Sequence, residues 1–249
     1  MSLNPGASAL PRTSDSSSMA RRETGILALS EDWSPELQKA KVYEQILLDI
    51  ILGELAPNAR LDEQGLARRY AAGLAGVRDA LGRLALEGLV IRRPRSGTTV
   101  SPLDLVELGQ SLEVRALLEP HSAALAAQHR TPDDILEIQQ AFDGGERAVA
   151  AGDCRALVFM DQRFHSAIAR ASRNAALTRV LIPLQHKAAR FWVYSMGKDT
   201  EEERFNEIEL HRQVARAIAS GDVEASRAGM MRILNIPPGS LLRLVAPTR

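Results

Sequence analysis

The sequence predicts a mainly α-helical chain in two parts: a small N-terminal unit of short helices closed by a β-hairpin, then a larger all-α helical bundle. Aromatic residues make up only 4% of 249 while Leu and Ala abound, which favours helices packed through aliphatic side chains over a β-sandwich. From residue 39 onward apolar residues recur at three- and four-residue spacing in segment after segment, the period of a helix with one buried face. One short stretch, "LVIRRPRSGTTV", instead reads as two β-like runs around a Pro/Ser/Gly turn.

The overall balance, 45% hydrophobic and 25% charged, is that of a soluble globular protein with room for two domains. Cys154 is the single cysteine, so no internal disulfide can form, and a reducing, cytoplasmic setting is expected. The apolar run "ILLDIILG" is short and interrupted by Asp49, so no membrane span is expected. Residues 1–38 are rich in Ser, Pro and Gly, carry no periodicity and lack the apolar core of a secretion signal, and are read as a disordered arm. "MARRETG" from Met19 offers a second translation start within that arm.

Net charge is zero, but it is unevenly spread. Residues 39–100 hold ten Lys/Arg against seven Asp/Glu, a net +3, and eight of the ten cations are Arg, the side chain suited to bidentate contact with phosphate or guanine.

In that basic segment, "KAKVYEQILLDIILGEL" repeats apolar pairs at Val42/Tyr43, Ile46/Leu47 and Ile50/Ile51, which predicts a first helix ending at Gly53 and Pro57. Asp62 is placed to cap a second helix through "EQGLARRY", burying Leu66 and Tyr70. After a Gly/Ala-rich turn, "AAGLAG", a third helix is expected over "VRDALGRLALEG", with Val77, Leu81 and Leu84 inward, Arg78 and Arg83 outward, and Gly88 as its stop. The hairpin follows. Three short helices and a hairpin in this order describe a winged helix-turn-helix, in which the third helix enters the major groove of double-stranded DNA and the wing meets the backbone or minor groove. The candidate DNA contacts are Arg68, Arg69, Arg78 and Arg83 on the helices and Arg92, Arg93, Arg95, Ser96, Gly97 and Thr98 on the wing.

The whole segment from Val42 to Val100 resembles the N-terminal domain of the GntR family of bacterial transcription regulators, whose pattern includes L-A-x-x-x-G-V-S-R-x-P-V-R-E-A-L-x-x-L-x-x-E-G-L-V. It departs where the family has G-V-S-R: a serine and a DNA-contacting arginine are replaced by Gly73 and Leu74, whereas Arg78 remains. The resemblance implies DNA binding, weakened by that departure.

From residue 103 to 236 the chain reads as successive helices with clear punctuation, followed by a tail over 237–249. "LDLVELGQSLEVRALLEPHSAALAAQH" comes first, and then "TPDDILEIQQAFDGGERAVAAG" opens with Thr131 as cap, Pro132 in the first turn and Asp133/Asp134 at the positive end of the dipole. Asp153 caps "DCRALVFMDQRFHSAIARAS"; "NAALTRVLIPLQHKAARFWVYSM", with a kink expected at Pro183, and two further helices complete the bundle. Within "VFMDQRFHSAIAR", Asp161 and His165 are four apart and share a helix face, which is metal-ligand geometry and also ordinary surface geometry.

"EVRALLEP", "DQRFHSAIARASRN" and "ELHRQVARAIASGDVEASRAGM", in this order and spacing, resemble the C-terminal ligand-binding domain of the FadR subgroup of that family. In many members the Asp and His join two later histidines around a divalent ion, and a small organic acid binds against it. The resemblance places Asp161, His165 and His211 on three of these ligands, puts Ile233 where the fourth would be, and gives Arg115 to the effector carboxylate. A zinc, nickel or manganese ion is the implied cofactor. His186, near Arg190 and Trp192, joins the candidate ligand-binding residues, while His121 and His129 are read as surface or core histidines.

The sequence therefore predicts a ligand-responsive regulator, a repressor released by a small organic acid, acting as a homodimer on a palindromic operator. Two alternatives stay open. One is a metal-dependent enzyme built on the same two histidines and carboxylate, and the other is a DNA-binding protein with no effector.

Overall fold

The computed structural model describes residues 38–196 and 199–234; the N-terminal arm, the alternative start at Met19 and the tail from 237 lie outside the described residues. Helix α1 (Gln38–Ile51) buries the predicted face, with Val42, Tyr43, Ile46, Leu47, Ile50 and Ile51 all in the core. The chain then turns through Asn58, at positive φ, into strand β1 (Arg60–Leu61). Asp62 caps α2 (Glu63–Arg69), accepting from the backbone N–H groups of Gln64 and Gly65 at 3.1 and 2.9 Å.

The third helix, α3 (Leu74–Leu86), begins earlier than the Val77 start expected from sequence. Gly73 is extended and serves as the cap position without a side chain, so Leu74, Ala75 and Gly76 enter the first turn instead of forming a loop. Gly88, at φ +77°, reverses the chain in a conformation that favours glycine. Strands β2 (Val90–Arg93) and β3 (Gly97–Val100) form the expected antiparallel wing, Arg92 opposite Thr98. The sheet has three strands, in the order β1-β3-β2, because Arg60 and Leu61 pair with Thr99 and Thr98. A two-residue strand is too short for alternation to reveal it in a sequence.

Among the described residues downstream the regular elements are all helical: α4 (Leu105–His129), α5 (Pro132–Gln139), α6 (Gly145–Ala150), α7 (Cys154–Ala171), α8 (Ala175–Met196), α9 (Glu201–Ser220) and α10 (Val223–Leu234). Asp104, Thr131, Asp153 and Thr200 cap α4, α5, α7 and α9, with Thr131/Asp134 and Thr200/Glu203 forming full capping boxes. The single helix expected after Thr131 is broken: a 3-10 turn at Gln140–Phe142 and Gly144, at φ +82°, separate α5 from α6. Pro183 lies inside α8, which runs past it as one element. Helix α4 runs through the middle of the bundle, packing against α7, α8, α9 and α10. Helices α9 and α10 approach closely at Gly229, where a Cβ would sit 2.7 Å from Val214 Cγ2.

The chain is thus a winged helix-turn-helix followed by an all-α bundle, and the two touch. Helix α1 packs on α8, and Arg190 on α8 donates to the Ser101 carbonyl at 2.6 Å. Among the described residues no helix is long and apolar enough to cross a membrane.

Candidate metal centre and nucleic-acid interface

Asp161 and His165 stand one turn apart on α7, and His211 faces them from α9. One donor atom from each lies within 4.8 Å of the others, and both imidazoles present Nε2 at 3.5 Å from Asp161 Oδ1. The opposite nitrogens explain this orientation. His165 Nδ1 is 2.6 Å from Glu119 Oε2, and His211 Nδ1 is 2.7 Å from the Glu207 carbonyl, so each Nδ1 faces an oxygen and each Nε2 is turned to the shared point. Phe142 and Phe164 pack against the His211 ring at centroid distances of 4.7 and 4.9 Å and restrict its rotation.

These residues fit a divalent ion. His211 Nε2 is buried with no hydrogen-bond partner among the described residues, an expensive state for a polar atom unless something takes its lone pair. Two imidazoles and a carboxylate make a donor set suited to zinc and its neighbours. Ile233 is buried on α10 and brings no donor.

The electrostatics are those of a closed cluster. Arg115 Nε donates to Glu119 Oε1 at 2.6 Å, and both side chains are buried. Burial pushes the Glu119 carboxyl up, but Arg115 and His165 outweigh it and hold it down to about 2. Asp161 is likewise depressed well below the carboxylate range, against burial, by His165 and His211. Burial alone would lower His165, yet the charges of Glu119 and Asp161 raise it to about 9. The neighbouring Glu207 is raised by burial. Sequence reasoning missed Glu119, although it stands four residues after Arg115 in "EVRALLEP" and so shares its helix face. The terminal nitrogens of Arg115 make no hydrogen bond among the described residues.

His186 and Arg190, grouped from sequence with an effector pocket, are directed instead to the DNA-reading unit. His186 Nδ1 is 3.5 Å from Glu87 Oε2, which also accepts from the Tyr43 hydroxyl at 2.6 Å. A small interior gap beside it is lined by Glu44, Leu47, Leu48, Ile51, Phe159, Gln162 and His186. Gln162 directly follows the candidate metal ligand Asp161 and donates to its Oδ2 at 3.1 Å.

The outer side of the small unit carries a cleft of about 520 Å³ between β1, α2, the N-terminal half of α3 and the wing, lined by residues including Arg60, Glu63, Leu74, Arg78 and Gly97. Arg78 projects from α3 with its Nε on Glu63 Oε2 at 2.7 Å, while Arg92 Nη2 lies 3.9 Å from Glu63 Oε1. Arg92, Arg93, Arg95, Ser96 and Gly97 are exposed on the wing, Arg95 and Gly97 at positive φ, and Arg68 is exposed on α2.

Three expected DNA contacts sit differently. Arg83 does not face outward: its guanidinium lies 5.1 Å over the Tyr43 ring and donates to Glu87 at 3.1 Å, because an aromatic face and a carboxylate meet it within the fold. Thr98 is buried, since its place in the central strand turns its side chain inward. Arg69 is tied to Asp49 of α1 at 2.5 Å, where Tyr70 also donates. Arg60, which sequence reasoning passed over, borders the wing: a Cβ at Gly97 would lie 3.5 Å from its guanidinium.

Comparison with known proteins agrees with this architecture. Residues 38–100 match the model of bacterial regulatory proteins of the gntR family, and residues 110–235 match the FCD domain. The HTH-type transcriptional regulator LutR of Bacillus subtilis is 31% identical over 202 residues, covering 72% of this chain and 90% of that one. A probable D-xylose utilization operon transcriptional repressor of Paenarthrobacter nicotinovorans is 26% identical over 187 residues, 74% of this chain and 80% of the other. The solved structure of E. coli McbR/YncC superposes with a TM-score of 0.73 over 84% of this chain and 99% of its own, at 23% identity, a likeness of fold. These are regulators, and the enzyme reading of the triad is set aside. The chain belongs to the GntR family of bacterial transcription regulators, in the branch that carries an FCD domain.

Proposed function

We propose that this chain is a transcriptional repressor whose hold on operator DNA is controlled by a small carboxylate bound beside a divalent ion in the helical bundle. The observation that carries the reading is the convergence of Asp161, His165 Nε2 and His211 Nε2 on one buried point, next to Arg115 with its terminal nitrogens open. Those three residues would hold the ion, and Ile233 would leave it one protein ligand short of the four-ligand pattern. The ion would supply positive charge for an anionic effector, and Arg115 would take a carboxylate oxygen.

The DNA side rests on Arg78, proposed as base reader, with Arg68, Arg92, Arg93 and Arg95 on phosphates. Two-fold operators call for two copies of the chain. Exposed Val106, Val114 and Leu117 on one side of α4, with Val180 on α8, supply an apolar face for the second copy. The name of the Paenarthrobacter relative supports the repressor reading.

Fluorescence anisotropy tests the proposal, using a duplex selected by the protein from a random pool. Metal-loaded protein should release that duplex on addition of a small hydroxy- or dicarboxylic acid, and protein with His211 replaced by Ala should not. Binding indifferent to metal and to every acid would leave the alternative, a DNA-binding protein with no effector.

A further inference from the structure

The DNA-reading cleft contains a carboxylate, an unexpected group on a surface that must approach phosphates. Glu63 is the first residue of α2, and its two oxygens face two arginines, Arg78 at 2.7 Å and Arg92 at 3.9 Å. A negative group in the first turn suits the helix dipole, but Asp62 already serves that end by capping two backbone N–H groups. The contact with Arg78 therefore asks for a separate reason.

The reason lies in how a guanidinium reads a base. Guanine is recognised through two parallel N–H donors directed at O6 and N7. Arginine has five such donors in a rigid fork, and an acceptor on Nε fixes the plane of the fork while leaving the Nη1/Nη2 edge outward. The Arg78 side chain is 61% exposed against 27% for Glu63, so the arginine is the more accessible member of the pair. The same carboxylate neutralises part of the local positive charge, which weakens sequence-independent attraction to phosphate.

We propose that Glu63 is a positioning residue for sequence reading: it holds Arg78 by Nε so that the outer edge of the guanidinium meets a base pair, and it lowers affinity for DNA of arbitrary sequence. This rests on Arg78 as base reader. Two duplexes of equal length decide it, one selected from a random pool by the unmodified full-length chain and one of random sequence, with dissociation constants measured at fixed salt.

Glu63→Ala should bind the random duplex more tightly and lower the selected-to-random preference by about tenfold. Glu63→Gln, which loses the charge but keeps an acceptor for Nε, should gain the same random-duplex affinity while retaining more of the preference. In an Arg78→Ala background, Glu63→Ala should change the preference no further. If Arg78→Ala itself leaves the preference intact, the base-reading assignment fails and this inference with it. If Arg78→Ala abolishes preference while Glu63→Ala preserves it, or Ala and Gln lose it equally, the clamp alone is overturned. Thermal melts of each variant separate these outcomes from loss of α2.

Discussion

His186 Nδ1 lies 3.5 Å from Glu87 Oε2, and this contact joins helix α8 of the bundle to the C-terminal cap of the DNA-reading helix α3. Glu87 is also the acceptor for Tyr43 on α1 and for Arg83. Three elements thus meet at one carboxylate, and Gln162, next to the candidate metal ligand Asp161, borders the same gap as His186. A displacement of α7 at the candidate metal site would have a packed route to the base of the reading helix. His186→Ala should leave basal DNA binding near the parent value and reduce the effector-induced loss of binding. Anisotropy with and without effector measures both, and an unchanged response would remove this contact from the coupling.

Glu87 also sets an acid limit. Burial pushes its carboxyl up, but His186, then Tyr43 and Arg83, outweigh burial and hold it below its ordinary value. A depressed acid stabilises the fold above its unfolded pKa, about 4.3, and that contribution disappears as pH falls through the lower folded value. Unfolding midpoints should therefore drop as pH descends below about 4.3. Glu87→Gln should be less stable at neutral pH and show a shallower acid slope.

Metal uptake should depend on all three converging side chains. His165→Ala and His211→Ala should abolish it, while Glu119→Gln, which weakens the acceptor behind His165, should cost about 10–100-fold in affinity. Ile233→His should tighten binding by adding a fourth donor. Metal analysis of the purified chain and titration calorimetry check these, and undiminished binding in His211→Ala would place any metal elsewhere.

Arg115→Lys keeps the charge but loses the planar fork, so the effector concentration for half-release should rise roughly tenfold or more. Because Arg115 Nε also supports Glu119, the same variant should weaken metal affinity slightly. A response unchanged in effector concentration would assign the carboxylate to another group.

Arginines on the small unit should separate into two kinds. Arg92→Ala, Arg93→Ala and Arg95→Ala should each flatten the salt dependence of DNA binding by about one counterion. Arg69→Ala should not. It leaves buried Asp49 with Tyr70 alone, so it should cost about 1 kcal/mol of stability, read as a lowered unfolding midpoint relative to Arg68→Ala.

The helices were legible because local chemistry marks their ends: Asp62, Thr131 and Asp153 cap where the sequence places them, and Gly88 stops α3. Spacing put Asp161 and His165 on one helix face, which suits an ordinary surface pair as well as a metal site, and only family resemblance joined His211 to them. What stayed hidden depends on partners distant in sequence. Nothing near Glu119 announces His165, 46 positions later, and nothing near Arg83 announces the Tyr43 ring 40 positions earlier. Gly144 divides a helix that periodicity alone would continue, because its left-handed backbone was invisible until the fold was known.

Between the end of β3 at Val100 and the start of α4 at Leu105 only four residues intervene, and Arg190 holds the first of them, Ser101, by its carbonyl. Four extended residues reach about 14 Å. With so short a tether, each reading head of a paired assembly is confined to a small volume, and its effective concentration at the second half-site is high only where that volume falls. Inserting one base pair between half-sites rotates one of them by roughly a tenth of a turn, which a slack linker would absorb and this one would not. If two copies bind as proposed, affinity should therefore depend on the distance between half-sites as well as on their sequence.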